Sequence, residues 1–249
     1  MIETTDHGTI RELRLARPPV NALDPTLIAA LREALAGAGR DGREAVVLSG
    51  APGRFSGGLD VPALLRLDRA GIRAAWQAFF GLLHDIAACE IPTVAALTGH
   101  SPAGGTVLAL FTDYRVLASG PFVIGLNEVQ VGLPVPAPLV GGLAYIVGAR
   151  QAERLAAGGL LVDPAEALRV GLVDELASPD EVVPRAVAWA RERLARPRLA
   201  MLATRRLARR ALVAGFQELD ATALEAVTDA WFSPEAQAML RALAARLGK

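Results

Sequence analysis

Twice in its first half the chain runs from a short apolar strand through a glycine-rich loop into a helix. Ala45-Val46-Val47-Leu48 leads into Arg54-Phe-Ser-Gly-Gly-Leu-Asp60 and then the short helical run Ala63, Leu64, Leu65. Thr93 to Leu97 leads into Gly99-His-Ser-Pro-Ala-Gly-Gly-Thr106 and an apolar helical stretch to Phe111. Strands this apolar are covered on both faces. Strands that alternate with helices supply the cover, so the pattern predicts an α/β core.

The remaining first half fits that layout. Thr9 to Leu15 alternates polar and apolar residues, the pattern of a half-buried strand. Asp24-Pro25 reads as an N-cap with proline at the first helical position, opening a helix to about Gly37. A second helix is expected from about Gly71 to Cys89, and further strands at Arg115 to Ala118 and Phe122 to Ile124. No internal repeat is evident. After about Pro136, Val173-Asp-Glu-Leu176 is the one late strand candidate, and helices are expected near 138–147, 149–157, 163–170, 180–195, 198–213, 217–230 and 234–247.

Bulk properties narrow the function classes. Among 249 residues, 52% are hydrophobic, enough for a sizeable core. Lys plus Arg and Asp plus Glu are equal at 26 each, so net charge drives no binding to nucleic acid or anionic membrane. The single cysteine, Cys89, ends an apolar helical run and reads as a small buried hydrophobe. No disulfide within the chain is possible, and the N-terminus lacks a basic apolar leader. No run of about 18 apolar residues marks a membrane span. A cytoplasmic location is expected. His7, His84 and His100 show no metal-ligand spacing. The cluster Arg205, Arg206, Arg209 and Arg210 reads as a solvated helix face.

The two glycine loops carry the chemistry. Glycine lets a backbone approach a ligand closely, and a helix N-terminus adds free N–H groups. Two such loops can aim their amides at one oxygen, the design of an oxyanion hole. Either loop alone also reads as an ordinary turn or a phosphate cradle. Neither has the Gly-Lys-Ser/Thr of a nucleotide P-loop or the glycine spacing of a dinucleotide site.

Together the loops resemble the enoyl-CoA hydratase/isomerase (crotonase) family. Phe55-Ser-Gly-Gly-Leu-Asp60 is similar to its first oxyanion segment, and Pro92 to Gly105 to its second. Asp113-Tyr-Arg-Val-Leu-Ala118, Phe122 to Gly132 and Pro164 to Asp174 also fit. The likeness runs to about residue 195. Pro102-Ala-Gly-Gly with Asp113-Tyr-Arg and Ile124-Gly-Leu-Asn-Glu is most similar to the mitochondrial Δ3,Δ2-enoyl-CoA isomerases of that family.

The resemblance implies a crotonase spiral of ββα units over residues 1–195. A C-terminal helical region, 196–249, would make a homotrimer or a dimer of trimers, and the apolar positions there, from Leu199 to Leu247, agree. It implies an acyl-CoA substrate, the coenzyme A being part of that substrate, with no separate cofactor and no metal. The backbone N–H groups of Leu59 and Gly104 would hold the thioester oxygen. Glu128 would be the catalytic carboxylate, with Asn127, Gly57, Gly58 and Asp60 at the substrate. Asp113 falls where the family has a structural acid.

One departure bears on the reaction. Hydratases of the family carry a second glutamate three residues beyond the oxyanion glycine, and here that position is Val107. One carboxylate suffices to move a proton from C2 to C4, whereas hydration uses two to hold and activate water. The expected activity is a Δ3 to Δ2 double-bond shift. Another reaction on a CoA thioester, or a non-catalytic acyl-CoA-binding role, remains an alternative. Ile124, Leu126, Val129 and Val131 flank Glu128 as an apolar setting that raises a carboxyl pKa. Leu64, Leu67, Trp76, Phe79 and Phe80 are candidates for an acyl groove and, by residue type, for the core.

Overall fold

The computed structural model describes residues 1–247. In chain order the strands are β1 (Ile2–His7), β2 (Ile10–Leu15), β3 (Ala45–Ser49), β4 (Gly53–Arg54), β5 (Thr93–Leu97), β6 (Gly99–Pro102), β7 (Tyr114–Ala118), β8 (Ile124–Gly125) and β9 (Glu175–Ala177). The first helices are α1 (Pro25–Arg40), α2 (Val61–Leu64), α3 (Arg69–Ala88), α4 (Gly104–Leu110), α5 (Ala137–Val147) and α6 (Ala149–Ala157). They are followed by α7 (Pro164–Arg169), α8 (Val182–Leu194), α9 (Arg198–Ala208), α10 (Arg210–Ala214), α11 (Ala221–Trp231) and α12 (Pro234–Leu247).

One sheet has the order β1-β2-β3-β5-β7-β9, and a smaller one has β4-β6-β8. β1 and β2 form an antiparallel hairpin, and the other pairings between these strands are parallel. Each turn of the chain lays one strand in the large sheet, a short one in the small sheet, and then returns through a helix. β3, β4 and α3 make one turn, and β5, β6 and α4 the next. This is the expected spiral of ββα units. The units recur in structure without recurring in sequence, because what repeats is burial rather than residue identity.

Alternation within each strand divides the core. Val46, Leu48, Ala95 and Leu97 face α1, α3 and α4. Val47, Val94, Ala96 and Val116 face the other way, onto Val182, Ala186 and Val187 of α8. Of the acyl-groove candidates, Leu64, Trp76, Phe79 and Phe80 are buried and Leu67 is partly buried. Trp76 stacks on Phe80 and meets Trp231 edge-on, so these rings fill space as core.

Several boundaries differ from expectation. β1 is a mostly exposed edge strand, so it carries little apolar signal. α3 begins at Arg69 because Asp68 caps it, its carboxylate accepting from Gly71 N–H at 2.8 Å. The expected strand at 122–124 is shifted to Ile124–Gly125, and the late one to Glu175–Ala177. The expected helix 198–213 is two helices meeting at Arg209.

The expected boundary near residue 195 falls between α8 and α9. Beyond it, α11 packs on α3 and α12 on α2, with Trp231, Ala236 and Leu240 almost fully buried. Part of the C-terminal apolar surface thus covers the chain's own core. α9 is different: Leu199 is 85% exposed and Leu207 71%. The Leu247 side chain and residues 248–249 lie outside the described residues. Among those described, no helix is long and apolar enough to cross a membrane.

Candidate active site

The first glycine loop is stapled along the segment 17–23. Gly57 N–H donates to Val20 O at 2.7 Å, and Gly58 N–H to Ser56 Oγ at 3.2 Å. Leu23 N–H donates to Gly58 O at 2.7 Å, and Asp60 N–H to Leu23 O at 3.0 Å. Leu23 and Leu59 are therefore bridge partners. Leu23 is bonded to the residues on either side of Leu59, and amides alternate in direction along an extended strand. The Leu59 N–H consequently faces away from Leu23, and among the described residues it has no partner.

The second loop ends at Ala103, whose φ of 48° and ψ of −120° are rare for a residue with a Cβ. Such a conformation costs about 1–3 kcal/mol and persists only where its surroundings impose it. Here Ala103 N–H donates to Gly125 O at 2.8 Å. α4 follows at once, and its first internal bond runs from Val107 N–H to Ala103 O. Gly104, ahead of that bond, keeps a free N–H among the described residues.

The loops touch through their glycines. A Cβ on Gly58 would lie 3.1 Å from Gly104 N, and one on Gly104 would lie 3.1 Å from Gly58 Cα. Gly58 also has a φ of +86°, which only glycine adopts cheaply. The two free amides thus sit at, or one residue from, a backbone-to-backbone contact.

Glu128 is pinned to the second loop through β8. Ser101 pairs with Ile124, and Pro102 with Gly125. The Thr106 hydroxyl accepts from Gly125 N–H at 2.7 Å and lies 2.5 Å from Ser101 O. Glu128 follows three residues later, opening a 3-10 turn, Glu128–Val131. Its Oε2 is buried without a hydrogen-bond partner, as is Oδ1 of the adjacent Asn127. Buried polar atoms are nearly always paired, so two unpaired oxygens on adjacent residues make this turn the candidate place for a ligand. Burial pushes the Glu128 carboxyl up to about 7, opposed only by a hydrogen bond from its own backbone. No other carboxylate contributes to the shift.

The apolar setting differs in part from expectation. Ile124 and Leu126 are core, but Val129 is 38% exposed and lies against Gly159. The C-terminal helix supplies cover in its place: α12 packs on the 3-10 turn, and a Cβ on Gly132 would lie 3.1 Å from Ala236 Cα. Val107 is fully buried in α4.

Other residues fall into structural places. Both Asp60 oxygens are engaged, Oδ1 by Ala63 N–H at 2.9 Å and Oδ2 by Arg17 at 2.6 Å. Asp113 accepts from Arg205, Arg209 and Thr93. The expected solvated face is therefore corrected. Arg209 is 5% exposed and Arg205 turns inward to Asp113, leaving Arg206 and Arg210 on the outside. They line a groove of about 1010 Å³ among α1, α3, α9 and α10, away from the glycine loops. Cys89 is partly buried, and burial pushes its thiol up, which suits an inert side chain. No group of three or more metal-ligating side chains occurs among the described residues.

Sequence reasoning missed Arg17, Asn21 and Thr106. Asn21 donates to Phe55 O at 3.0 Å, and its carbonyl accepts from Ser56 Oγ at 2.8 Å. Only Pro18-Pro19, read as mere punctuation, hinted that this segment has a fixed shape.

Comparison with known proteins bears on the family and the fold. Residues 5–239 match the enoyl-CoA hydratase/isomerase family model. A probable enoyl-CoA hydratase (echA17) of Mycobacterium avium is 38% identical over 78% of this chain and 75% of its own length. Human mitochondrial enoyl-CoA delta isomerase 1 is 34% identical over 85% of this chain and 71% of its own. The crystal structure of human mitochondrial Δ3-Δ2-enoyl-CoA isomerase superposes with a TM-score of 0.94 at 30% identity, covering 99% of this chain and 98% of that one. Two glycine loops joined at their backbones, a spiral of ββα units and these likenesses place the chain in the enoyl-CoA hydratase/isomerase family.

Proposed function

We propose that this protein moves a double bond of an acyl-CoA thioester from Δ3 to Δ2. The observation that carries the reading is the buried Glu128 carboxyl, its Oε2 without a partner and its pKa pushed up to about 7, beside a loop whose Gly104 amide is free. The thioester oxygen accepts hydrogen bonds from Leu59 and Gly104 N–H. Glu128 takes the C2 proton, and the electron pair spreads over C1 to C4 as a dienolate whose charge rests on that oxygen. Glu128 then returns the proton to C4, the oxyanion collapses to the carbonyl, and the double bond lies between C2 and C3. Gly57 and Gly58 let the first substrate loop pack closely on Val20 and on the second loop, which brings Leu59 near Gly104, and the Asn127 amide faces the substrate. Atoms and charge balance with no metal or added cofactor.

Val107 argues against hydration, since its side chain cannot hold water. A hydratase is the second reading, favoured by the M. avium relative described as a probable hydratase. Assembly belongs to the same proposal. A homotrimer or a dimer of trimers would bury the exposed leucines of α9, and light scattering on the purified protein reads its mass.

The deciding experiment supplies 3-hexenoyl-CoA and 2-hexenoyl-CoA to the wild type and to Glu128→Ala, following conjugated-thioester absorbance. Absorbance gained from the 3-enoyl ester, and abolished by the substitution, is the expected result. Loss of absorbance from the 2-enoyl ester, with no isomerisation, establishes the hydratase reading. Tight binding of octanoyl-CoA without any turnover establishes a binding role.

A further inference from the structure

We propose that Arg17 is the positioning residue of the first glycine loop, holding the Leu59 amide in its working direction; this rests on the isomerase reading above. Arg17 precedes the proline pair, far from Glu128 in sequence, and touches none of the reacting atoms.

Its guanidinium grips two helix caps. One terminal nitrogen lies 2.6 Å from Asp60 Oδ2 and 3.1 Å from Asp24 Oδ2, and the other donates to Ala22 O at 3.0 Å. Each aspartate uses its remaining oxygen to cap a helix. Asp24 Oδ1 accepts from Leu27 N–H at the start of α1, and Asp60 Oδ1 from Ala63 N–H at the start of α2. These aspartates directly follow Leu23 and Leu59, the two residues of the bridge. One cation therefore ties together the residues just beyond both bridge partners. The backbone of Arg17 closes the frame: its N–H donates to Asn21 Oδ1 at 2.8 Å, and its carbonyl accepts from Asn21 N–H at 2.8 Å.

The physical consequence concerns direction. Leu59 sits in a loop with no regular structure beyond the single bridge, and an oxyanion donor works only when aimed at the developing charge. The side chains are partly shielded, at 26% exposure for Arg17 and 14% for Asp60, so water screens the pair less than at an open surface. Without Arg17, Asp60 keeps its cap on α2 and its N–H bond to Leu23 O but loses its side-chain tie to the 17–24 segment, leaving the backbone bridge alone to set the direction of the Leu59 amide.

The test uses full-length protein, the variants Arg17→Met, Arg17→Lys and Asp60→Asn, and two readouts. Arg17→Met is expected to lower kcat for 3-hexenoyl-CoA about tenfold to hundredfold, with KM changed by less than about threefold. Arg17→Lys restores part of the loss. Asp60→Asn can keep its cap through Oδ1 and is expected to reproduce the loss, so it serves if Arg17→Met does not fold. The second readout is the absorption band of bound 2,4-hexadienoyl-CoA, which moves to longer wavelength as donors polarise its carbonyl. That shift should shrink in step with kcat, which general loosening of the fold would not cause. Variants with wild-type kcat, or with reduced kcat and an undiminished band shift, overturn the clamp alone. A wild type that neither isomerises 3-hexenoyl-CoA nor shifts the band overturns the isomerase reading and takes the clamp with it.

Discussion

Two carboxyls, Glu128 and Asp113, are both largely withdrawn from water, and the protein treats them in opposite ways. Asp113 receives Arg205 Nε and Nη2 at 2.8 Å each, Arg209 Nη1 at 3.1 Å, and Thr93 N–H at 2.7 Å. Glu128 has a buried oxygen with no partner and a pKa pushed up to about 7. The first joins β5 and α9 at the end of the sheet where β5 begins. The second lies beyond β8, beside the glycine loops. Burial alone does not make a carboxylate catalytic. A buried acid surrounded by guanidinium groups is a fastener, whereas one left without donors is poised to exchange a proton.

The largest expected effect is kinetic and confined to one of the two. Glu128→Gln should lower kcat about 10²–10⁴-fold, the usual worth of a general base, without unfolding the protein. Asp113→Ala should do the converse. It leaves Arg209, 5% exposed, without its carboxylate, and removing one member of a buried pair costs about 3–5 kcal/mol. Urea unfolding should show that loss, while kcat per folded molecule stays near wild type. If Asp113→Ala folds stably but cannot turn over, the contrast fails.

How far each carboxyl could be read from the chain follows from the same contrast. Glu128 was legible because a family motif, Asn127-Glu128 after Ile124-Gly125, fixes its place, and flanking apolar residues announced burial. Part of that announcement was misleading. Val129 is exposed, and α12 supplies the cover from more than a hundred residues away, which no local pattern shows. Asp113 was readable as structural, but its partners were not. Arg205 and Arg209 lie in a basic run that looks like solvated surface, and only the packing of α10 on α3 and their bonds to Cys89 O and Ala87 O show that they turn inward. The spiral was legible in its strands, since β3 and β5 are apolar apart from Ser49 and Thr93 at their ends. The two-residue strand β4 was not, because so short a pairing leaves no periodicity, and β8 was expected at 122–124 rather than at Ile124–Gly125. Arg17 escaped for a related reason: an ion pair spanning 43 residues has no signature in sequence.

A smaller effect sharpens the comparison through pH. Glu128 holds its proton more tightly folded, at about 7, than in an unfolded chain, at 4.5. The folded state therefore binds more protons between these values, and stability falls as pH rises through that window. Its contribution is complete below about pH 4.5 and gone above about pH 7, a difference of about 1–3 kcal/mol after allowing for partial access to water. Glu128→Gln carries no such charge. Relative to wild type it should gain little Tm near pH 4.5 and several degrees near pH 8. The kcat/KM of the wild type runs in the opposite sense, rising with pH until the carboxyl is ionised near 7. On the proposed reading, an acid whose Oε2 has no partner in the interior lowers stability at the pH where it ionises. Equal melting gains for Glu128→Gln at both pH values would mean that the carboxyl finds donors after all, and that it resembles Asp113 more closely than its orphaned oxygen indicates.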